Sequence, residues 1–467
     1  MHKHDLLIKN GRVIDPESDT DRQRHIAINN GRISVIEDIW GSKLQGTQEI
    51  DATGLIVSPG FIDLHSHGQD IENYRIQAMD GVTTALELEV GTADVDAWYD
   101  ARNNTTPINY GVSAGHIPAR ISIMEDGAGI VPSKDAAHRA STNQELAKIL
   151  NIVSTGLSRG GLAVGFGLQY TPAASRKEIL AIFGLAKSFS APCHVHIRGM
   201  GSPPDNTKTL GSIESLQEVI ANAAITGASL HVVHISSVGL SATPDLLSIV
   251  ESAKSNGLDI TTECYPYSAG MTLIESAIFD DGWQDNLGVT YEQLLWPSTG
   301  EILNKDSFGK YRSKGGMVVI NFIPEESVLA SVTSPLTSIA TDGWIKNSAG
   351  HPRTAGSYAK ILGHFVREQK SISLMDAIRK SSLMPAQRLE KRAPEFLRKG
   401  RLTVGADADI VVFDPVNVID KATYSNPSAP STGFQYVIVG GIPLVFDGIL
   451  KDNLFPGKAA RAPIVLT

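Results

Sequence analysis

The stretch "GFIDLHSHG", residues 60–68, ends an apolar run with two histidines that are one residue apart. On a β-strand, residues two apart point to the same face, so His65 and His67 would direct both imidazoles at one point. Two convergent imidazoles suit a divalent metal ion. A His-x-His pair alone is a weak motif, because most such pairs are chance surface pairings, so further ligands must come from elsewhere in the chain.

Apolar, strand-like runs alternate with helical stretches such as "TNQELAKILNIVSTGLSR" along the middle of the chain. The runs are "GFIDLHSHG", "GVTTALELEV", "YGVSAGHI", "GGLAVGFGLQY", "APCHVHIR", "SLHVVHISS", "GLDITTECYPY", "GMVVINFI" and "TSIATDGW". This alternation predicts a parallel sheet, and the number of runs is about that of a (β/α)₈ TIM-type barrel, the α/β architecture that we expect. In such barrels the chemistry lies at the C-terminal ends of the strands.

Short strands separated by tight-turn residues mark both ends of the chain. The dipeptide "NG" and the tripeptide "NNG" separate the strand-like runs of residues 5–40. The stretch "GRLTVGADADIVVFDPVNVID" near the C-terminus shows the same pattern of short apolar runs and turn residues. Chain termini often lie close together, so the two segments could pair. We therefore predict a small composite β domain from residues 1–56 and 400–467, with the barrel formed by residues 57–399.

The composition favours a globular protein that acts on a small molecule. The chain has 467 residues, 42% of them hydrophobic, and a formal net charge of −9, which argues against nucleic-acid and anionic-membrane partners. The first residues lack a signal-peptide core and no segment approaches a membrane span, so we expect a cytoplasmic protein. Cys193 and Cys264 are expected to be buried small hydrophobes. Association into a homo-oligomer is left open.

Metal-ligating residue types fall at the ends of several predicted strands. Imidazole and carboxylate groups of this kind suit a catalytic zinc site with one open position. They belong to His65, His67, His196, His234 and Asp342. Glu87 and Glu89 share one face of the second strand, where two uncompensated carboxylates would repel each other. We expect Glu89, nearer the strand end, to be a ligand, with a buried salt bridge as the alternative for either glutamate.

The order of motifs resembles the amidohydrolase superfamily and, more narrowly, the D-aminoacylase group of N-acyl-D-amino-acid deacylases. The motifs are "GLIVSPGFIDLHSHG", "GVTT", "GH" at His116, "GLQYTP", "HIR" at His196, "HIS" at His234, "YPYSAGMT", "ATDGW", "HPRTAGSYAKILGHFVRE", "SSLMPAQRL", "GADADIVVFDP" and "KATYSNP". The resemblance implies zinc, as one or two ions, with another divalent metal as the alternative.

By this resemblance, His65 and His67 are ligands from the first strand, and His196 and His234 are ligands from the fifth and sixth. Asp342 is then the catalytic carboxylate of the eighth strand.

The resemblance also implies substrate-binding residues. Arg353 would hold the α-carboxylate, and Tyr267 or Tyr265 would lie near the scissile acyl group. His116 either contacts the substrate or hydrogen-bonds neighbouring loops.

The sequence departs from the deacylase pattern at two places. The metal-binding cysteine of a "GNCG" segment is missing, because the second strand reads "TTALELEVGT", so another group must take its place. Ser236 stands where a lysine often follows the sixth-strand histidine, which weakens the case for an acidic substrate side chain, although Arg198 is an alternative cation.

The function implied is metal-dependent hydrolysis of the amide bond of an N-acyl-D-amino acid, giving a carboxylic acid and a free D-amino acid. The D preference depends wholly on the resemblance. The alternatives are a cyclic-amide or dipeptide hydrolase, similar to dihydroorotase or isoaspartyl dipeptidase, and a non-catalytic protein on the same barrel. Those hydrolases usually bridge their metals with a carbamylated lysine, which no strand end here clearly offers.

Overall fold

The computed structural model describes residues 3–127, 129–202 and 210–465. Its strands are β1 (His4–Asp15), β2 (Thr20–Asn29), β3 (Arg32–Asp38), β4 (Gly46–Asp51), β5 (Ile56–Pro59), β6 (Phe61–Asp63), β7 (Val82–Thr92), β8 (Asn109–Gly115), β9 (Val164–Gly167), β10 (Cys193–His196), β11 (Leu230–Val232), β12 (Ile260–Cys264), β13 (Ala269–Leu273), β14 (Leu294–Trp296), β15 (Glu301–Ile302), β16 (Met317–Asn321), β17 (Thr337–Ile339), β18 (Ile345–Lys346), β19 (Ala349–Gly350), β20 (Ile410–Phe413), β21 (Phe434–Val439), β22 (Ile442–Phe446) and β23 (Ile449–Leu450).

The α-helices of the described residues are α1 (Ile71–Ala78), α2 (Val95–Asp100), α3 (His116–Met124), α4 (Asp135–His138), α5 (Asn143–Ser158), α6 (Arg176–Ser188), α7 (Ser212–Thr226), α8 (Ile235–Gly239), α9 (Thr243–Ser255), α10 (Trp283–Leu287), α11 (Lys305–Lys314), α12 (Glu325–Thr333), α13 (Arg353–Lys360), α14 (Leu374–Ile378) and α15 (Met384–Leu389). Short 3₁₀ turns and two π-helical stretches, Ile361–Glu368 and Arg379–Leu383, complete the helical structure. None of the helices in the described ranges is both long and apolar enough to cross a membrane.

An eight-stranded sheet runs in the order β6, β7, β8, β9, β10, β11, β12 and β17, and its neighbouring strands are parallel. The segments that follow β6 and β17 close the circle, since Asp342 N–H donates to the His65 carbonyl at 2.7 Å and His67 N–H donates to the Gly343 carbonyl at 3.0 Å. The predicted barrel is confirmed. The closure also brings the ends of the first and eighth strands together, where the candidate ligands lie.

One predicted barrel strand is wrong. The run "GMVVINFI" contributes β16, which pairs antiparallel with β13 and β14 in a separate four-stranded sheet inserted between β12 and β17. An apolar run of this length fits any buried strand, so its periodicity could not separate the two sheets. The inserted sheet buries Val318 and Ile320 in a cluster with Phe279, Trp283 and other apolar residues.

The two chain ends pair into a single nine-stranded sheet, as predicted. Its strands run in the order β23, β22, β21, β20, β5, β1, β2 and β3, with β4 on β1, and β5 next to β20 joins the N-terminal and C-terminal segments. The sheet therefore includes Ile56–Pro59, just beyond the expected boundary at residue 56. The segment after β23 leaves the sheet and lies on the barrel, where Ala460 N–H donates to the Tyr110 carbonyl at 2.7 Å.

Helices around the barrel bury one apolar face each against the strands. The core between α5, α6, α7 and α9 and the strands contains Val153, Phe183, Val195 and Val232, all fully buried. Capping fixes where these helices begin: Thr142 and Glu145 form a reciprocal capping box at α5. Cys193 and Cys264 are buried free thiols, as expected.

Candidate metal centre and active site

The predicted ligands converge at the C-terminal ends of the barrel strands. They form two sets, and within each set every residue offers one ligand atom that lies within 4.8 Å of the ligand atoms of the other residues. The first set is His65, His67, Glu89 and Asp342, and the second is Glu89, His196 and His234. Glu89 belongs to both. The strands of a parallel barrel all end on one face, which brings residues so distant in sequence to one point.

Each Glu89 oxygen faces a different set of histidines. Oε2 lies 2.8 Å from His65 Nε2 and 3.2 Å from His67 Nε2, whereas Oε1 lies 2.9 Å from His196 Nδ1. Asp342 Oδ1 lies 3.2 Å from His67 Nε2, and its Oδ2 lies 3.9 Å from His234 Nε2. A carboxylate with this placement can bridge two cations, one held by each set.

The far side of three of the histidines is held by a hydrogen-bond partner. His65 Nδ1 lies 2.6 Å from Glu263 Oε1, His67 Nδ1 lies 2.7 Å from Glu87 Oε2, and His234 Nδ1 lies 2.8 Å from Ser237 Oγ. Partners of this kind fix the tautomer and the ring orientation of metal-binding histidines. Each of these rings therefore presents Nε2 to the centre.

The electrostatics of the cluster favour a cation. Burial would lower the pKa of His65, but the carboxylates of Asp342, Glu89 and Glu263 raise it well above its ordinary value. Burial opposes ionisation of Glu89, yet the charge of His65 and the hydrogen bond from His196 hold the pKa of this carboxyl well below its usual range. The negative charges of these carboxylates thus favour a positive charge at one buried point. Nitrogen and oxygen donors so arranged fit zinc or a similar divalent ion.

Two residues of the cluster have an unusual backbone conformation. Asp342 has φ of +50° and His234 has φ of +29°, in the left-handed region that residues with a Cβ rarely adopt. Such strain concentrates at functional sites, where the surrounding structure holds it in place. Here it turns both side chains toward the centre just beyond the ends of β17 and β11.

Arg353, the first residue of α13, is buried beside the cluster. Its Nη1 lies 2.9 Å from Asp342 Oδ2, and its guanidinium lies over the Tyr265 ring at 4.5 Å from the ring centroid. Its Nε has no hydrogen-bond partner among the described residues. Burial opposes the ionisation of Asp342, but Arg353 and His65 lower the pKa of its carboxyl below the ordinary value. A buried guanidinium with an unused donor is suited to an incoming carboxylate.

Two cavities flank the cluster. One adjoins His196, His234 and Tyr265, and the other adjoins His67 and Arg353. Both are lined by Tyr170, Met271, Thr272 and Asp342. The Tyr170 hydroxyl lies 3.0 Å from Thr272 Oγ1, so two of the shared lining residues contact each other. Met271 and Thr272 belong to β13, which means that the inserted sheet forms one wall of the site.

Comparison with known proteins identifies the family. The sequence model of the amidohydrolase family matches residues 48–445. The chain belongs to the amidohydrolase family. It is similar to the D-aminoacylase of Alcaligenes xylosoxydans xylosoxydans, with 24% identity over 99% of this chain and 98% of that protein.

Two solved structures share the fold of this amidohydrolase. One is the N-acyl-D-glutamate deacylase from Bordetella bronchiseptica, complexed with zinc and a phosphonate inhibitor that mimics the tetrahedral intermediate, with a TM-score of 0.84 at 24% identity over 99% of this chain and 100% of that chain. The other is a D-aminoacylase with a binuclear metal centre, with a TM-score of 0.83 at 20% identity over 98% of this chain and 100% of that chain. The expectation of an amidohydrolase is confirmed.

Three of the predicted substrate-binding residues of the amidohydrolase do not line the two cavities. The Tyr267 hydroxyl lies 3.4 Å from Asp420 Oδ2, with Lys360 over its ring. Arg198 pairs with Glu218 at 2.9 Å.

His116, the third of them, lies 2.7 Å from Glu178 Oε1 through its Nε2, and Arg120 pairs with the same oxygen. Roles in substrate binding for Tyr267, Arg198 and His116 stay predictions, whereas Tyr265 and Arg353 lie at the cavities.

Sequence reasoning missed several residues that the amidohydrolase site contains. Glu263 and Ser237 hydrogen-bond the candidate ligands His65 and His234, and Tyr170 packs edge-on against His196 with ring centroids 5.2 Å apart. A signal existed for Tyr170, which stands in the quoted "GLQYTP" motif at the end of β9. Glu263 stands inside a mostly buried strand, and nothing in the sequence indicates which of the histidines it contacts.

Proposed function

We propose that the chain hydrolyses the amide bond of N-acyl-D-amino acids in a metal-dependent reaction that gives a carboxylic acid and a free D-amino acid. The observation that carries this proposal is the Glu89-centred ligand cluster with the buried guanidinium of Arg353 beside it. The cluster suits hydrolysis of an acyl bond, and the guanidinium suits an acid next to that bond. The names of the D-aminoacylase and D-glutamate deacylase relatives support the D configuration.

The residues present fit zinc as the resident metal. His65, His67 and Asp342 would hold one ion, and His196 and His234 would hold a second, with Glu89 shared between them. When bound, zinc supplies Lewis acidity that polarises an acyl carbonyl and makes a water molecule acidic near neutral pH. The relatives solved with zinc and with a binuclear metal centre support this assignment.

Side chains of this chain would supply the proton transfer and the orientation. The lowered pKa of Asp342 keeps its carboxylate ionised at neutral pH, so it can accept a proton from the attacking water and return it to the leaving nitrogen. Arg353 can grip the substrate carboxylate with two parallel hydrogen bonds. Tyr265 lies beneath that guanidinium and faces the cavity at His234.

The side chain of the amino acid is proposed to be apolar. The cavity beside His196 and His234 is lined by Met200, Ile278, Leu287, Ile320 and Phe322, and no lysine or arginine of the described residues lines it. An acidic side chain there would lose its hydration without gaining a partner. Arg198 does not change this conclusion, because Glu218 already pairs with it.

The test is amine release from N-acetyl D-amino acids and L-amino acids in zinc, with the Asp342→Asn protein as the blank. We expect release from the D-leucine, D-methionine and D-phenylalanine derivatives and at least tenfold slower release from the D-glutamate derivative. Equal rates for L substrates would contradict the D preference. Silence across the panel with zinc bound would reject the deacylase in favour of a cyclic-amide or dipeptide hydrolase. Cytoplasmic location and homo-oligomer formation stay predictions.

A further inference from the structure

A fully buried carboxylate lies behind the metal centre, inside the barrel. Glu263 is on β12, and its side chain is completely inaccessible to solvent. Its Oε1 lies 2.6 Å from His65 Nδ1, and its Oε2 lies 3.0 Å from His231 Nε2. It belongs to neither set of converging ligand atoms. Among the described residues, its hydrogen bond to the centre is therefore the one with His65.

The contact decides which nitrogen of His65 can bind a cation. Each oxygen of Glu263 lies at hydrogen-bond distance from an imidazole nitrogen, Oε1 from His65 Nδ1 and Oε2 from His231 Nε2, so the carboxylate is placed to accept from both rings. An ionised carboxylate accepts hydrogen bonds and donates none, so His65 Nδ1 must carry the proton. The nitrogen left to bind a cation is then Nε2, which faces Glu89 at 2.8 Å.

Glu263 is itself held from the opposite end of the barrel. His231 Nδ1 lies 2.7 Å from Thr261 Oγ1, and Arg388 donates to that hydroxyl at 3.3 Å while pairing with Asp259 at 3.0 Å. Thr261 and Glu263 are two residues apart on β12, so their side chains share the barrel interior. A continuous polar column thus runs from the half-exposed Asp259 to the metal centre, and it leaves the carboxylate little freedom to turn.

We propose that Glu263 is a positioning residue that fixes the tautomer and orientation of His65 and strengthens it as a metal ligand. The proposal rests on the metal centre of the proposed function, but not on the identity of the substrate. A carboxylate that accepts the far N–H of a ligating imidazole makes the imidazole a stronger donor. Loss of such a partner typically costs roughly 10- to 100-fold in metal affinity.

The experiment measures zinc affinity of the full chain by competition with a chromogenic chelator, without substrate. Glu263→Gln keeps the size of the side chain and an oxygen that accepts from His65, but removes the charge. We expect this variant to bind zinc roughly 10- to 100-fold more weakly than wild type. Glu263→Asp retains the charge and should recover part of the loss. The matched control is Glu178→Gln, because Glu178 is also a buried glutamate that contacts a histidine Nε2, at 2.7 Å, away from the centre.

The outcomes separate positioning from a merely structural role. Thermal unfolding of the zinc-free variants shows whether they fold, and a structural role alone would lower their stability while leaving zinc affinity within about twofold of wild type. That result, an equal loss in Glu178→Gln, or a wild-type protein that binds no zinc would overturn the proposal. Zinc affinity that responds to Glu263 in a protein that releases no amine from any N-acyl-D-amino acid would sustain the proposal and reject only the proposed function.

Discussion

Glu89 connects the two ligand sets, because its oxygens face different histidines. The sequence shows a second strand without the cysteine of the deacylase pattern, and the structure places this carboxylate at the point where both sets meet. Each carboxylate oxygen can serve a separate cation, and a fixed anion between two cations reduces their mutual repulsion. Glu87, two residues earlier, instead holds His67 from behind. Of the two glutamates on one face, Glu89 thus faces the histidines of both sets, whereas Glu87 orients His67.

Replacing Glu89 should weaken both metal positions. In Glu89→Ala each ligand set loses an oxygen, so we expect bound zinc to fall to well under one equivalent per chain after gel filtration, as measured by atomic emission. His234→Ala removes a ligand from one set only and should leave the His65 and His67 position loaded. Equal zinc content in Glu89→Ala and wild type would show that the carboxylate does not bridge.

Replacing Arg353 should weaken substrate binding through the carboxylate. Lysine keeps the charge but cannot form two parallel hydrogen bonds, and a hydrogen bond to a charged group is worth about 1.5–3 kcal/mol. We therefore expect Arg353→Lys to raise KM for an N-acetyl-D-amino acid roughly 10- to 100-fold, measured by amine release. The matching N-acetyl amine without a carboxylate should be turned over equally by both proteins. An unchanged KM for the acid would reject the clamp.

The convergence of the candidate ligands could be predicted from the sequence because each one follows a recognisable strand. Each of these residues comes at or just after an apolar run, as in His65, His67, Glu89 and Asp342. The strands of a parallel barrel end on one face, which brings these side chains together. Glu263 could not be predicted in this way, since it contacts a histidine 198 residues away in sequence. Pairing inside a barrel depends on strand register and ring orientation, which spacing along the chain does not encode.

At the scale of elements, the inserted sheet is the part of the fold that periodicity failed to separate. β16 has the composition of a buried strand, yet it pairs with β13 and contributes to the wall of the site instead of the barrel. Each barrel strand that was predicted correctly is followed by a helix or by candidate ligand residues. β16 is also followed by a helix, α12, so this context does not distinguish it from the barrel strands. Pairing partners, which require the whole fold, decide between the two sheets.

β9 passes so close to β7 that only glycine fits at residue 165. A Cβ on Gly165 would lie 2.2 Å from the Glu89 carbonyl oxygen and 2.6 Å from the Leu88 carbonyl oxygen. Gly165→Ala should therefore push the backbone at Glu89, destabilise the fold by about 1–3 kcal/mol and lower zinc affinity. Chemical denaturation and zinc competition would measure the two effects.

Gly184→Ala is the matched control for this substitution. Gly184 lies in α6, and nothing lies within 4 Å of a Cβ built there. Alanine loses less conformational entropy on folding than glycine, so the control should gain about 0.5–1 kcal/mol. A Gly165→Ala protein as stable as wild type would show that β7 and β9 can separate without cost.

At the scale of the whole molecule, the chain ends and the barrel form one continuous structure. The sheet made from both termini joins through β5 and β20, and β5 runs directly into β6, which is followed by the candidate ligands His65 and His67. The C-terminal segment returns along β8 through Tyr110. The short strands and tight-turn residues at the two ends predicted their pairing. The return of the last segment onto the barrel has no such sequence signature. Stability of the site is thus tied to stability of the entire fold.

Acid should destabilise the molecule through the buried cluster of Glu178, His116 and Arg120. Burial works to raise the pKa of the Glu178 carboxyl, but the hydrogen bond from His116 and the positive charge of Arg120 outweigh it and lower the pKa to about 2. A folded-state pKa below the unfolded value of about 4.3 gives stability that is present above that value and is lost as the pH falls through the folded value. We expect the free energy of unfolding to drop by about 3 kcal/mol from this group between about pH 5 and pH 2. Glu178→Gln should be less stable than wild type at pH 7 but show a shallower decline over that range in urea denaturation. Parallel curves for the two proteins would mean that other carboxylates carry the acid sensitivity.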